Sequence, residues 1–148
     1  MRHTCFLQAV LWVCCVFSIN VAQANGKMAF TGYVTNNTKN EVHLWDPNWD
    51  VGDRDWEAFT IPAGEVGAFN VPLDAKGGVV DFIIRSPTQA CYFTTGHAIK
   101  KTVKGPMTLI GPHHWTKTQS LGRTEAVCKA EVTNYVRLKE FEAHYYME

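Results

Sequence analysis

The residues best suited to chemistry lie together between Trp45 and Glu57. This segment of thirteen residues contains four aspartates, one glutamate and three of the five tryptophans. Carboxylates this close together repel one another unless a cation, an arginine or a hydrogen-bonding ligand offsets their charge. Tryptophan rings suit surfaces where one end of the side chain is apolar and the other is wet. The segment therefore predicts a binding site.

The oxygen-bearing side chains of this segment are spaced like the ligands of a calcium loop. Counted from Asp46, the pattern resembles the loop of an EF-hand, in which a chain curling around Ca²⁺ offers every second side chain. Val51 stands where that loop needs glycine, Pro47 stiffens its entry, and strand-like segments flank it. The resemblance predicts calcium but not an EF-hand fold. The predicted metal ligands are Asp46, Asn48, Asp50 and Glu57, with a backbone carbonyl from Gly52.

The same segment is also suited to direct contact with an organic ligand. Trp45, Trp49 and Trp56 offer rings for stacking, and Asp53 and Asp55 offer acceptors for hydroxyl groups or a cationic head group. The predicted ligand is a glycan or a lipid head group. The structural alternative stays open: one or two of these tryptophans cover the core, and the aspartates are solvated or cap turns.

Two further functions fit the sequence. In a secreted effector, toxin component or inhibitor, the aromatic residues would anchor an extracellular protein partner. In a small secreted hydrolase, His113 or His114, together with His97, would supply a general base or a zinc site. Adjacent residues of a strand point to opposite faces, so only one of His113 and His114 can join a given site. The sequence contains no catalytic nucleophile motif.

The N-terminus has the composition of a secretory signal peptide. The run from Thr4 to Gly26 contains no acidic or basic residue and includes Ala22-Gln23-Ala24. A positive start, an apolar centre and this small-residue ending predict cleavage after Ala24. The alternative is a membrane anchor, because the uncharged run is long enough to span a bilayer. The mature chain, 25–148, is then a single β-rich domain without a transmembrane segment, secreted or periplasmic.

The cysteines that remain after cleavage predict one disulfide. Only Cys91 and Cys128 are left, and an exported chain with two cysteines most simply pairs them. Such a bond would add about 3 to 4 kcal/mol of stability in the chain-entropy model.

Charge is balanced over the whole chain but is unevenly distributed. The 14 basic and 14 acidic residues cancel, which predicts no general attraction to nucleic acid or to anionic membranes. Acidic residues are concentrated between Asp46 and Glu57, whereas Lys100, Lys101, Lys104 and Lys117 make the later part locally basic.

Most of the mature chain alternates between apolar and polar residues, as β-strands do. Val79–Arg85 is its most apolar run, which predicts a central strand buried on both faces. Gly105-Pro106 and Gly111-Pro112 argue against a helix around Met107–Ile110. The other predicted strands are Met28–Thr35, Glu41–Trp45, Ala58–Ile61, Val66–Val71, Cys91–Thr95 and Thr124–Leu138.

The connections complete the predicted fold. Thr116–Gly122 has the composition of a polar connection, and the tail from Lys139 to Glu148 is expected to be a strand end or one short helix. Asn36-Asn37-Thr38 has the composition of a turn and is also a glycosylation sequon. Short strands at this spacing, punctuated by Gly and Pro, indicate a mostly β, antiparallel β-sandwich, with a small β-barrel as the alternative.

Overall fold

The computed structural model of the chain describes residues 26–49, 58–136 and 140–148. The predicted signal peptide and its cleavage site lie outside these ranges. Within them, no helix has the length and apolar character needed to cross a membrane. The described strands are β1 (Lys27–Asn36), β2 (Val42–Trp45), β3 (Thr60–Ile61), β4 (Val66–Asp74), β5 (Gly77–Arg85), β6 (Gln89–Lys104), β7 (Met107–Gly122), β8 (Cys128–Val136) and β9 (Glu140–Met147).

The strands form two sheets that pack face to face. One sheet has the order β4-β1-β9-β8, and the other has the order β3-β2-β5-β6-β7. The predicted β-sandwich is therefore confirmed, and the barrel alternative is wrong because the two sheets do not close on each other. The pairing is antiparallel except between β1 and β9, which run parallel. A purely antiparallel prediction misses this pair because the last strand inserts beside the first.

The core lies between the sheets and is rich in aromatic rings. Phe82 and Phe93 of the five-stranded sheet pack against Tyr145 of the four-stranded sheet, with ring centroids 4.8 and 5.1 Å away. All three side chains are fully buried. The Tyr145 hydroxyl donates a hydrogen bond to Oγ1 of Thr95, which satisfies its polar end inside the core. Burial also raises the pKa of Tyr145.

Strand β5 occupies the middle of its sheet, as its apolar sequence predicts. Val80, Phe82 and Ile84 point inward and are fully buried. The prediction of burial on both faces is wrong, however, since Asp81 and Ile83 on the other face are only half-buried. Among the described residues, the second sheet covers just one side of β5, so the opposite side remains accessible.

The predicted disulfide is confirmed. Cys91 near the start of β6 is bonded to Cys128 at the start of β8, and their Cα atoms are 5.7 Å apart. The two strands belong to different sheets. The bond therefore ties the two layers of the sandwich together.

The sequence underestimates the strands of the second half. Thr116–Gly122, predicted as a polar connection, belongs to β7 and pairs with β6. Its polar composition fits an edge strand whose outer face is exposed. The tail is not helical: Glu140–Met147 forms β9. Phe141, Ala143 and Tyr145 alternate inward there with the period of a strand.

Asn36 is a buried residue that organises the turn after β1. Its amide donates hydrogen bonds to the carbonyls of Asn40 and Ile61. Its Oδ1 accepts hydrogen bonds from the backbone N–H and the hydroxyl of Thr38. These hydrogen bonds favour a structural role of Asn36 in the turn over its glycosylation, because a glycan needs the amide nitrogen at the surface.

Candidate functional site

The outer face of the five-stranded sheet carries the side chains that alternate with the core residues. Cross-strand partners lie on the same face of a sheet, so the register places these side chains in rows. One row crosses four strands through Trp45, Ile83, Tyr92 and Gln119. We call this surface the outer face. Its main members are His43, Trp45, Val79, Asp81, Ile83, Arg85, Tyr92, Thr94, His113, Trp115, Lys117 and Gln119.

Trp115 lies flat on this face because its cross-strand partner is glycine. Gly96 stands opposite Trp115, and a Cβ added to Gly96 would collide with the indole. The ring therefore rests directly on the backbone of β6. The His113 ring lies beside it, with centroids 5.8 Å apart and an angle of 24° between the planes. One face of the indole is thus covered by the sheet, and the half-buried ring turns its other face outward.

Trp45 lies at the other end of the outer face, beside a basic cleft. The Arg85 guanidinium sits 3.8 Å from the centroid of the indole ring, in a cation–π contact. Arg85, His43 and Arg123 line an open cleft of about 560 Å³ together with the turn that joins β5 to β6. Of the residues that the structure describes, two arginines and no carboxylate line the cleft, and Glu41 lies beside it, 3.5 Å from Nε2 of His43. The arginine side of the cleft is suited to an anionic group.

Trp49 points into the protein, although it is only four residues after Trp45. Its ring stacks on Phe69 at 5.0 Å and 13°, and it meets Phe82 edge-on at 5.8 Å. In a regular strand, residues four apart share a face. Asp46 has a φ of 50°, and this left-handed residue breaks the alternation. The structure therefore places Trp45 and Trp49 on opposite sides, and Trp49 covers the core.

Asn48 fixes the position of this segment against β5. Its backbone N–H donates to the carbonyl of Asp81 at 3.0 Å, and its Oδ1 accepts from the Asp81 N–H at 2.8 Å. Its amide nitrogen also donates to Oδ2 of Asp81 at 3.0 Å. Asn48 thus continues the pairing with β5 beyond the end of β2. Its Oδ1, which belongs to a predicted calcium ligand, is hydrogen-bonded to the backbone.

The remaining residues predicted for this segment lie outside the described ranges. Asp50, Asp53, Asp55, Trp56 and Glu57 belong to this group. Of the predicted calcium ligands, Asp46 and Asn48 are described, and calcium stays a prediction. A melting curve in calcium and in a chelator, with Asp50→Asn as the control, would test it.

The histidines separate as the strand period predicts. His113 lies on the outer face, and His114 points inward, where its ring stacks on His97 at 6.0 Å and lies tilted against Phe141 at 4.9 Å. His97 is buried and donates from Nε2 to the carbonyl of Asp74 at 2.7 Å. Burial lowers the pKa of both inward histidines; the charges of His97 and His113 lower that of His114 further. The lowered pKa favours the neutral form of both rings at pH 7.

No metal-binding group of three or more His, Cys, Asp or Glu side chains occurs in the described part of the chain. This arrangement does not test the hypothesis that His113 or His114 acts in a hydrolase.

Two residues of the outer face, Tyr92 and Trp115, were not among the predicted ligand contacts. The sequence around Trp115 carries no alternation that would mark a solvent-facing side, because the residues between His113, Trp115, Lys117 and Gln119 are polar as well. The position of Trp115 follows from its pairing with Gly96.

Comparison of the sequence with models of known protein families gives no match, and comparison with curated proteins gives no significant match. The chemistry of the outer face is therefore what indicates a function.

Proposed function

We propose that the protein is an exported binding module that recognises an acidic glycan on the outer face of its five-stranded sheet. The observation that carries the proposal is the indole of Trp115 held flat over Gly96. A ring supported from below by the backbone offers its other face for stacking without first losing side-chain freedom. Sugar rings stack on such faces through their apolar C–H groups, and their hydroxyls need polar neighbours.

The spacing of the aromatic residues fits an extended ligand. Trp45 and Trp115 are separated by three strand spacings across the sheet. Along the strands they are four residues apart, because Gln119 lies in the same row as Trp45. Strands are about 4.8 Å apart and rise about 3.4 Å per residue, so this diagonal is on the order of 20 Å. Tyr92 lies between them. The surface would therefore contact several sugar units at once.

The charge of the face favours an acidic sugar. Arg85 and Lys117 are exposed there, and the cleft beside Trp45 adds Arg123. In the described ranges, two acidic side chains lie on or beside the face: Asp81, one oxygen of which already accepts a hydrogen bond from Asn48, and Glu41, which lies 3.5 Å from Nε2 of His43. Carboxylate or sulfate groups would pair with the arginines as bidentate acceptors.

The outer face of the four-stranded sheet is less suited to this role. Its rings contact their own neighbours: Tyr33 packs on His144 at 4.8 Å, and the Tyr146 hydroxyl donates to Glu131. Glu131 and Glu142 also make that face acidic, so it would repel an anionic glycan. The disulfide between Cys91 and Cys128 supports export.

The test is binding to a panel of uronic-acid, sulfated and neutral oligosaccharides. We expect an acidic member to bind, and Trp115→Ala to weaken that binding about tenfold, which corresponds to about 1.4 kcal/mol. Arg85→Gln should weaken binding of the acidic member and reduce its preference over neutral sugars, since Lys117 and Arg123 remain. Tyr33→Ala on the opposite sheet is the matched control and should leave affinity unchanged.

Two outcomes would contradict the proposal. One is equal binding by wild type and Trp115→Ala, and the other is a stable complex with a protein that the same substitution leaves intact. The second outcome would favour the effector or inhibitor hypothesis.

A further inference from the structure

Strands β6 and β7 continue past the rest of their sheet as a two-stranded ribbon, Ile99–Pro112. The last residue of β6 that pairs with β5 is Ala98, opposite Gly77. Beyond it, pairing with β7 continues to Lys104 and Met107 next to the turn. At about 3.4 Å per residue the ribbon extends on the order of 20 Å. A two-stranded hairpin alone is marginally stable in water, so this ribbon is suited to a surface that covers it.

The ribbon exposes apolar side chains on both of its faces. On one face, Val103 and Ile110 are 68% and 61% exposed; on the other, Met107 and Leu109 are 62% and 50% exposed. The register assigns these faces, since Val103 stands opposite Thr108 and Leu109 opposite Thr102. A flat protein partner would bury one face and leave the other in water. A fluid apolar medium would surround both faces.

The ribbon is also strongly basic. Lys100, Lys101 and Lys104 lie on it, and no acidic residue occurs between Gln89 and Gly122. Like charge disfavours pairing of two ribbons from two copies of the chain, because the lysines would approach one another. An anionic surface complements them.

We propose that the ribbon inserts its tip into the interface of an anionic lipid bilayer. This membrane contact is separate from the glycan site and does not depend on it. The ribbon has six residues per strand beyond Ala98, fewer than the roughly 9 to 11 that a transmembrane strand needs. The insertion is therefore shallow.

The order of residues along the ribbon matches the layers of a bilayer surface. An interfacial element lies about 5–10 Å deep, which corresponds to the first three residue pairs from the turn. Val103, Met107 and Leu109 belong to these pairs. Lys100 and Lys101 follow at the height of the phosphates, and Lys104 reaches back to them along its flexible stem.

The test is co-sedimentation of the purified protein, recovered after export, with vesicles of two compositions. One contains equal parts of phosphatidylserine and phosphatidylcholine, and the other contains phosphatidylcholine alone. We expect binding to the first and little to the second, weakening as salt is added. Replacing Lys100 and Lys101 together by Gln should lower the partition coefficient at least about tenfold.

Separate substitutions on the two faces distinguish a membrane from a protein partner. Val103→Asn and Leu109→Asn should each lower vesicle binding several-fold, because both faces enter the lipid. Val66→Asn on β4 is the matched control, since Val66 is 58% exposed and remote from the ribbon. Thermal midpoints should agree among these variants, because none of the three side chains is buried.

Three results would overturn the proposal. They are no binding to the phosphatidylserine vesicles, equal loss with Val66→Asn, or loss on one ribbon face with none on the other. A dimer in size-exclusion chromatography that Val103→Asn dissociates would assign the ribbon to self-association instead.

Discussion

Two glycine–aromatic pairs of the same design lie in different surroundings. Gly32 stands opposite Phe69 in the four-stranded sheet and faces the core, whereas Gly96 stands opposite Trp115 in the five-stranded sheet and faces outward. In both pairs, a Cβ added to the glycine would collide with the ring. Each glycine therefore lets an aromatic ring lie flat on the neighbouring strand.

The difference lies in what covers the ring. Phe69 has Trp49 stacked on it at 5.0 Å, and it also contacts Phe82 and Tyr145. Trp115 has His113 beside it and no other ring of the described residues within contact. The core pair thus shows within the protein the stacking that we propose a sugar makes on Trp115.

The largest expected effect separates the two faces of a single strand. Phe82→Ala should cost about 3–5 kcal/mol of unfolding free energy, because Phe82 is fully buried among aromatic rings. Ile83→Ala, one residue further on, should cost about 1 kcal/mol, since Ile83 lies half-buried on the outer face. Urea unfolding of the two variants would measure both values. Similar costs would contradict the assignment of inner and outer faces.

A matched pair of glycine substitutions tests the comparison itself. Gly32→Ala should cost about 1–3 kcal/mol of stability, because Phe69 is packed on several sides and cannot move away. Gly96→Ala should cost less, since the Trp115 indole can swing into solvent, but it should weaken glycan binding as Trp115→Ala does. Thermal unfolding and a binding titration on the same samples separate the two effects. Equal loss of stability would mean that Trp115 is held as firmly as Phe69.

The smallest expected effect is a pH dependence of the melting temperature, which comes from the inward histidines His97 and His114. Burial lowers the pKa of His97 and His114 below the ordinary 6.5. Above that pH these rings are neutral in both states; below it the unfolded chain takes up protons that the folded protein resists. The melting temperature should therefore fall as the pH drops below about 6.5.

Substitutions of the adjacent residues His113 and His114 test the source of this pH dependence. His114→Gln should flatten the decline, and His113→Gln, on the outer face, should reduce it only slightly, because the charge of His113 is the last of the causes that lower the pKa of His114. A decline that both variants retain in full would assign the pH dependence to other groups.

The sequence predicts those features that depend on local patterns. The apolar run from Val79 to Arg85 marks the central strand. Cys91 and Cys128, the two cysteines that follow the predicted signal peptide, predict the disulfide between them. Thr116–Gly122 contains few apolar residues, so nothing local marks it as strand. It is ordered by pairing with β6, a contact that composition does not encode.

The candidate site depends on details that residue spacing alone does not show. Trp45 and Trp49 look equivalent in the sequence, yet the left-handed Asp46 and the hydrogen bonds of Asn48 to Asp81 direct Trp49 into the core. Trp115 becomes part of the site because it stands opposite Gly96, which lies nineteen residues earlier. Such a partnership is known only once the register is known.

The most direct test of the outer face follows the indole N–H signals of the tryptophans by nuclear magnetic resonance while an acidic oligosaccharide is added. We expect the signals of Trp115 and Trp45 to shift together along one binding curve. The Trp49 signal should stay in place, because that ring stacks on Phe69 inside the sandwich. A shift confined to Trp49, or binding of the oligosaccharide with no change at Trp115, would contradict the account.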